Sequence, residues 1–176
     1  MKKLFLTLLV ASAMLVACGP SREERLDQIR DFEDSVFESA MGADTVVAEQ
    51  LTKMYVDFAD KYKTDSLAPE FLMKAAEVQS NVLHTDRAIE LFDRIISDYP
   101  DFEDIPMCYY LKGNAYELNS MAPQAKEAYQ VYLDKFPNHF MAESTRQMLQ
   151  YVGMNPEEML SEILNNATDD VIAVTK

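Results

Sequence analysis

The chain has 176 residues, with 30 Asp or Glu against 16 Lys or Arg and a formal net charge of −14. That balance excludes the basic footprint of a nucleic-acid binder, and it excludes adsorption to anionic lipid headgroups through protein charge. With four glycines in all and no clean period-two run, neither strands nor a Gly-rich phosphate cradle are expected.

Met1-Lys2-Lys3 is a short basic start, and the apolar run LFLTLLVASAMLV after it is too short for a comfortable membrane span. The run closes on LVAC, Leu15 to Cys18, with Gly19 next. This resembles a bacterial lipoprotein signal, in which small residues precede a cysteine whose thiol takes the lipid and which cleavage leaves as the new N-terminus. The resemblance implies a signal peptide over 1–17, lipidation of Cys18 and a short linker over 18–20. Bacterial lipoproteins carry two or three acyl chains, and at about 0.8 kcal/mol per buried CH₂ such a tether is stable. Removing 1–17 takes Lys2 and Lys3 and no acid, so the net charge becomes −14 − 2 = −16. No aspartate follows Cys18, which by the same resemblance implies the outer membrane. Ser21-Arg22-Glu23-Glu24 is faintly similar to an acidic surface-export tag, so periplasmic and outward-facing placements both stand. With Cys18 acylated, Cys108 is alone among Met107, Tyr109 and Tyr110 and reads as a small buried hydrophobe.

Ser21 and Glu24 stand in capping-box spacing, followed at helical intervals by Leu26, Ile29, Phe32, Val36 and Phe37. SREERLDQIRDFEDSVFESA is therefore expected to be a helix pairing with 45–62, the two broken by Gly42, Ala43 and Asp44. Three 37-residue units, 51–87, 88–124 and 125–161, then stack without a gap. Tyr55, Phe92 and Tyr129 share a column, as do Phe58, Ile95 and Tyr132; Ala59, Ile96 and Leu133; and Tyr62, Tyr99 and Phe136. Leu51, Ala88 and Ala125 open the units. A period of about 20–50 residues with helical spacing inside it marks a solenoid of helix pairs.

Positions 88, 92, 95, 96 and 99 define one amphipathic helix of a unit, and the other helix of each pair is expected at about 67–83, 103–119 and 140–152. Thr85 or Asp86 is expected as a cap, Pro123 at a first helical position, and Pro100 and Pro137 just past helix ends. Asn155-Pro156-Glu157-Glu158 reads as a further start. The expectation is an all-α fold of about eight helices in four antiparallel hairpins, from Ser21 to about Asn165, with a disordered tail over 166–176.

The stretch YYLKGNAYELNSMAPQAKEAYQVYLDKFP, Tyr109 to Pro137, resembles a tetratricopeptide (TPR) repeat. Gly113 falls at the small site where the paired helices touch, and Tyr109 where the family prefers a large aromatic. Tyr116 matches the family's tyrosine; Ala125, Tyr129 and Pro137 match its second helix. The preceding unit matches through Leu72, Ala76, Ala88, Phe92 and Pro100, with Gln79 in place of the tyrosine. The first unit keeps only its second helix, and the last pair departs. A repeat of this length with YPDF or FPNH at the helix end is similar to extracytoplasmic TPR proteins, among them the assembly lipoprotein of the Bam complex and the Tol-Pal-associated coordinator. The resemblance implies a TPR-like solenoid, a right-handed superhelical stack over 21–165, whose concave face is lined by the first helix of each pair.

Family geometry places Glu70, Met73, Glu77, Ser80 and Asn81 on that face. Met107, Tyr110, Asn114, Glu117 and Leu118 join them from the next repeat, and Ser144, Gln147 and Tyr151 from the third. Relatives that clamp a C-terminal carboxylate use Lys, Arg and Asn there; only Asn114 fits that pattern, and the glutamates repel a carboxylate. Met adapts to irregular partners and Tyr offers rigid amphipathic area, so an apolar or basic peptide or helix is the expected occupant. The alternative at each position is packing against neighbouring helices.

His84 and His139 are distant in sequence, lie outside metal-ligand spacing and read as exposed turn histidines. No nucleophile elbow or Cys/His cluster occurs, so no enzyme activity, metal or cofactor is expected beyond the lipid on Cys18. The reading that follows is a lipid-anchored envelope scaffold at the outer membrane that binds a protein or peptide partner, by analogy in outer-membrane protein assembly or envelope coordination. Its alternative is a structural module that self-associates through the apolar ends of the solenoid, with no separate ligand groove.

Overall fold

The computed structural model describes residues 19–38 and 44–164. The signal segment 1–17, Cys18, the Gly42–Ala43 break and the tail 166–176 lie outside the described residues. Every regular element among those described is helical, and none is long and apolar enough to cross a membrane. The chain divides into two compact units at residue 42.

The first unit holds α1, Arg22–Glu38. Its start is the expected capping box: the Ser21 N–H donates to Glu24 Oε2 at 2.7 Å, and the Glu24 N–H donates to Ser21 Oγ at 3.3 Å. Those hydrogen bonds to Ser21 hold the Glu24 carboxyl below its usual range.

The second unit is an all-α, TPR-like solenoid. It contains α2 (Thr45–Lys61), α3 (Leu67–Asn81), α4 (Thr85–Asp98), α5 (Ile105–Leu118), α6 (Ala122–Lys135), α7 (Ala142–Leu149) and α8 (156–164). Each helix from α2 to α7 packs on the next, and α3 also touches α5 directly, so the first helices of consecutive pairs lie side by side. The sequence columns are the core. Tyr55, Phe92 and Tyr129 are buried, as are Phe58, Ile95 and Tyr132, and Leu51, Ala88 and Ala125. Each fully buried aromatic or aliphatic side chain contributes roughly 1.5–3 kcal/mol, an interaction that no single hairpin could complete without its neighbour.

The 37-residue period governs the backbone as well. The second helices end on Tyr62, Tyr99 and Phe136, with φ/ψ of −119/54, −132/56 and −130/56. Their N–H groups donate to the carbonyls of Phe58, Ile95 and Tyr132. The next turn repeats too, through Asp65 N–H to Tyr62, Phe102 N–H to Tyr99 and His139 N–H to Phe136. Pro100 and Pro137 follow immediately, where a helix could not continue.

Two of the first helices, α3 and α5, end in Schellman motifs. Leu83 and Ser120 are left-handed, at φ 62 and 57, and donate to Ser80 and Glu117, while His84 and Met121 reach back to Gln79 and Tyr116. Neither residue is glycine, so both turns carry the steric penalty of a Cβ in this region.

Asp44 caps α2 by accepting the Val46 N–H at 2.8 Å. Asn155 caps α8, accepting the N–H groups of Glu157 and Glu158, and Glu158 returns a carboxylate to the Asn155 N–H at 3.0 Å. The cap expected from Thr85 or Asp86 is not formed. The N-cap position is His84, and the Thr85 hydroxyl instead lies 3.5 Å from the Ala115 carbonyl and accepts from Asn119. A residue facing α5 had its hydroxyl drawn to that helix. The third first-helix is also shorter than the expected 140–152: α7 stops at Leu149, and Gly153 turns the chain at φ 80.

Gln79, standing where the repeat would carry tyrosine, is fully buried and satisfied on both sides. Its Nε2 donates to Thr52 Oγ1 at 2.8 Å, and its Oε1 lies 2.9 Å from His84 Nδ1. Because the amide oxygen can only accept, His84 Nδ1 is the donor in this contact. This chain of bonds joins α2, α3 and the turn into α4, so the departure from the repeat is compensated by polar satisfaction.

Gly113 marks the closest approach of α5 and α6, because a Cβ there would overlap the Tyr129 ring. Gly113→Ala is therefore expected to lower stability by roughly 1–3 kcal/mol, read from the urea midpoint at unchanged m-value. Leu83→Gly, at a residue 54% exposed, should raise stability by about 1 kcal/mol by relieving the left-handed strain, seen as a higher midpoint at unchanged m-value.

Candidate protein-binding surface

The residues expected on the concave face come from α3, α5 and the α7 region. On α3, Met73 and Glu77 are half-buried, Glu70 and Asn81 are exposed, and Ser80 is buried. Ser80 is no groove residue: its hydroxyl donates to the Ala76 carbonyl of its own helix at 2.9 Å. On α5, Met107, Tyr110, Asn114 and Glu117 are half-buried and Leu118 exposed. Ser144 and Gln147 are exposed on α7, bonded to Met141 and Glu143 within that helix. Tyr151 is half-buried but stands in the turn beyond α7, off the helix on which it was expected.

The direct contact of α3 with α5 brings the first two sets together. Glu77 is the electrostatic centre of this region. Burial raises its carboxyl above the usual range, and the Lys74 ammonium offsets only part of that. The Glu77 charge in turn reaches Cys108 on α5: burial first, then Asp104 and Glu77, push that thiol up to about 12. Cys108 is thus the inert hydrophobe expected, with almost no thiolate at neutral pH.

The other half of the surface is built on Tyr129, fully buried on α6. Its hydroxyl donates to Glu117 Oε2 at 2.7 Å, and burial together with that carboxylate raises its phenol far above the ordinary range. Tyr110 lies over it at 5.5 Å between ring centroids and meets Tyr132 edge-on at 5.7 Å. Tyr110 is consequently a packing residue first, with burial raising its phenol, and only part of its surface is left for a partner. Glu117 is likewise engaged by Tyr129, whereas half-buried Met73 and Met107 offer adaptable apolar area and half-buried Glu77 a partly dehydrated carboxylate.

His84 is the exposed turn residue expected, though hydrogen-bonded, whereas His139 is half-buried. His84 is tied to Gln79 and lies 3.3 Å from Glu49, and half-buried His139 shares a 2.6 Å hydrogen bond with Tyr132. No group of three metal-ligating side chains converges among the described residues.

Two clefts escaped the sequence reading because turns and helix edges from different units line them. One, of about 240 Å³, lies along Tyr109, Lys112 and Tyr116 of α5 and Glu127, Ala128 and Val131 of α6. Lys112 is held there by Asp93 of α4 at 2.5 Å. The other, of about 540 Å³, lies between the turns that follow α2 and α4. The recurring acids of those turns were the available signal.

Residues 70–101 and 107–139 match the tetratricopeptide repeat family, the two matched stretches falling on α3–α4 and α5–α6. Their starts are one 37-residue period apart. No curated protein matches the chain.

Glu77→Gln gives a check on the electrostatics. A carboxyl raised in the folded state contributes stability below its unfolded value of 4.5 and loses it as pH rises through the folded value. The variant should therefore melt at the same temperature as the parent at pH 4 and slightly higher at pH 7.

Proposed function

We propose that this protein is a lipid-anchored scaffold of the bacterial cell envelope, which docks an apolar and basic segment of a protein partner in the concave face of its TPR solenoid. Repeats of this kind generally mediate protein–protein interaction, and both matched repeats contribute a helix to that face. The observation that carries the reading is the half-buried Glu77 carboxylate one turn along α3 from Met73, with half-buried Met107 on the adjoining α5. A charge partly removed from water and not fully compensated rewards a partner that brings a cation, while the methionines reward apolar contact.

The anchor rests on the resemblance of residues 1–18 to a lipoprotein signal, with Cys18 as the acylated residue and the outer membrane as the destination. A role in outer-membrane protein assembly or envelope coordination follows by analogy with extracytoplasmic TPR lipoproteins. Radiolabelled palmitate should enter the parent chain in living cells and not Cys18→Ala, which should leave the membrane fraction.

The binding claim is tested by capture from detergent-solubilised membranes. Met73→Gln with Met107→Gln should cut recovery of the partner by about tenfold, equivalent to roughly 1.4 kcal/mol. Undiminished recovery would refute the groove. A self-associating module is the second reading, favoured by α8, where Met159, Leu160 and Ile163 are exposed on one helix. Dimerisation of the lipid-free domain in sedimentation, abolished by Leu160→Lys, would support that reading instead.

A further inference from the structure

The larger cleft, between the turns that follow α2 and α4, has an unusual lining. Its apolar part is Pro69, Tyr99, Pro100 and Phe102. Its acids include Glu70, Asp98, Asp101 and Glu103, and Lys63 is the one cation lining it. Asp98 is matched by Arg94 at 3.5 Å, but Glu70, Asp101 and Glu103 have no base and no hydrogen-bond partner among the described residues. Three unpaired carboxylates around an aromatic recess make a field that one ammonium cannot balance. Glu70 also begins the α3 stripe that continues through Met73 and Glu77, so the cleft runs on from the concave face.

We infer that this cleft docks an arginine side chain from an extended segment of the same partner, an inference that rests on the groove reading above. A guanidinium is planar, less strongly hydrated than an ammonium, and stacks on aromatic rings while its five N–H donors reach several carboxylates. Tyr99 and Phe102 provide the aromatic surface, and Glu70, Asp101 and Glu103 the acceptors. Lysine would keep its hydration shell and forgo the stacking. A bare polyamine would leave Pro69 and Phe102 uncovered.

Fluorescence anisotropy of labelled hexa-arginine on the full chain in detergent tests the assignment. The Glu70→Gln, Asp101→Asn, Glu103→Gln triple variant should weaken binding about tenfold. A charge-matched triple elsewhere, Glu127→Gln, Asp134→Asn, Glu157→Gln, should weaken it less than about threefold, and hexa-lysine should bind the parent about tenfold less tightly. All substituted side chains are exposed, and circular dichroism serves to check that each variant is folded. Equal weakening by the two triples, or hexa-lysine or spermine binding as tightly as hexa-arginine, reduces the effect to general attraction by an acidic chain and overturns the cleft. If membrane capture still depends on Met73 and Met107 in that case, the groove survives and only the arginine site falls. If both dependences vanish, both fall.

Discussion

The second unit depends on the closure of α6 against α5, where the Tyr129 ring occupies the space that a side chain at 113 would need. From that point the ring reaches three ways. Its ring meets Tyr110 at a tilt, its hydroxyl holds Glu117, and its body packs with Ala125 and Val152. One aromatic thereby couples the pairing of two helices to the next turn of the solenoid and to the surface offered to a partner. The cost is specialisation: Tyr110 and Glu117, at positions that could face a ligand, are largely committed to structure. Binding chemistry is left to Met73 and Glu77 on α3 and Met107 on α5, two helices that pack side by side.

Electrostatics divides along the same line. Ion pairs between neighbouring helices, Arg94 with Asp60 and Lys112 with Asp93, stitch α2 to α4 and α4 to α5 on partly exposed ground. Pairs of that kind contribute up to about 1 kcal/mol each and are screened by salt. They also consume scarce bases in a chain of net charge −14. Glu70, Asp101 and Glu103 have no ion-pair partner among the described residues, and a partner is the natural source of one. Glu77 differs from those because burial works against its charge even before a partner arrives.

The helices and the core were legible because both obey local or strictly periodic rules. Capping-box spacing at Ser21 and Glu24 and the acids after Asn155 each mark a start that the hydrogen bonds bear out. Columns such as Phe58, Ile95 and Tyr132 declare a buried face before any packing is known. What escaped was non-local polar pairing. Gln79 looked like a lost tyrosine until Thr52, 27 positions earlier, and His84 supplied its bonds. His139 looked like a surface turn until Tyr132 took it up. The early end of α7 was equally hidden, since its helical pattern runs on to Tyr151 while the backbone turns at Gly153. The concave surface was legible as a list of positions, but which of them the core had already claimed was not.

Tyr62, Tyr99 and Phe136 leave their helices with closely similar torsions and the same hydrogen-bond partners, one unit apart. The joint is therefore a standard coupling, independent of what precedes or follows it. Cutting at one such joint and rejoining at the next would excise or duplicate a whole pair of helices while leaving the linking geometry intact. Length in this architecture is an adjustable quantity, and a lineage could lengthen or shorten its platform by recombination without inventing a new loop.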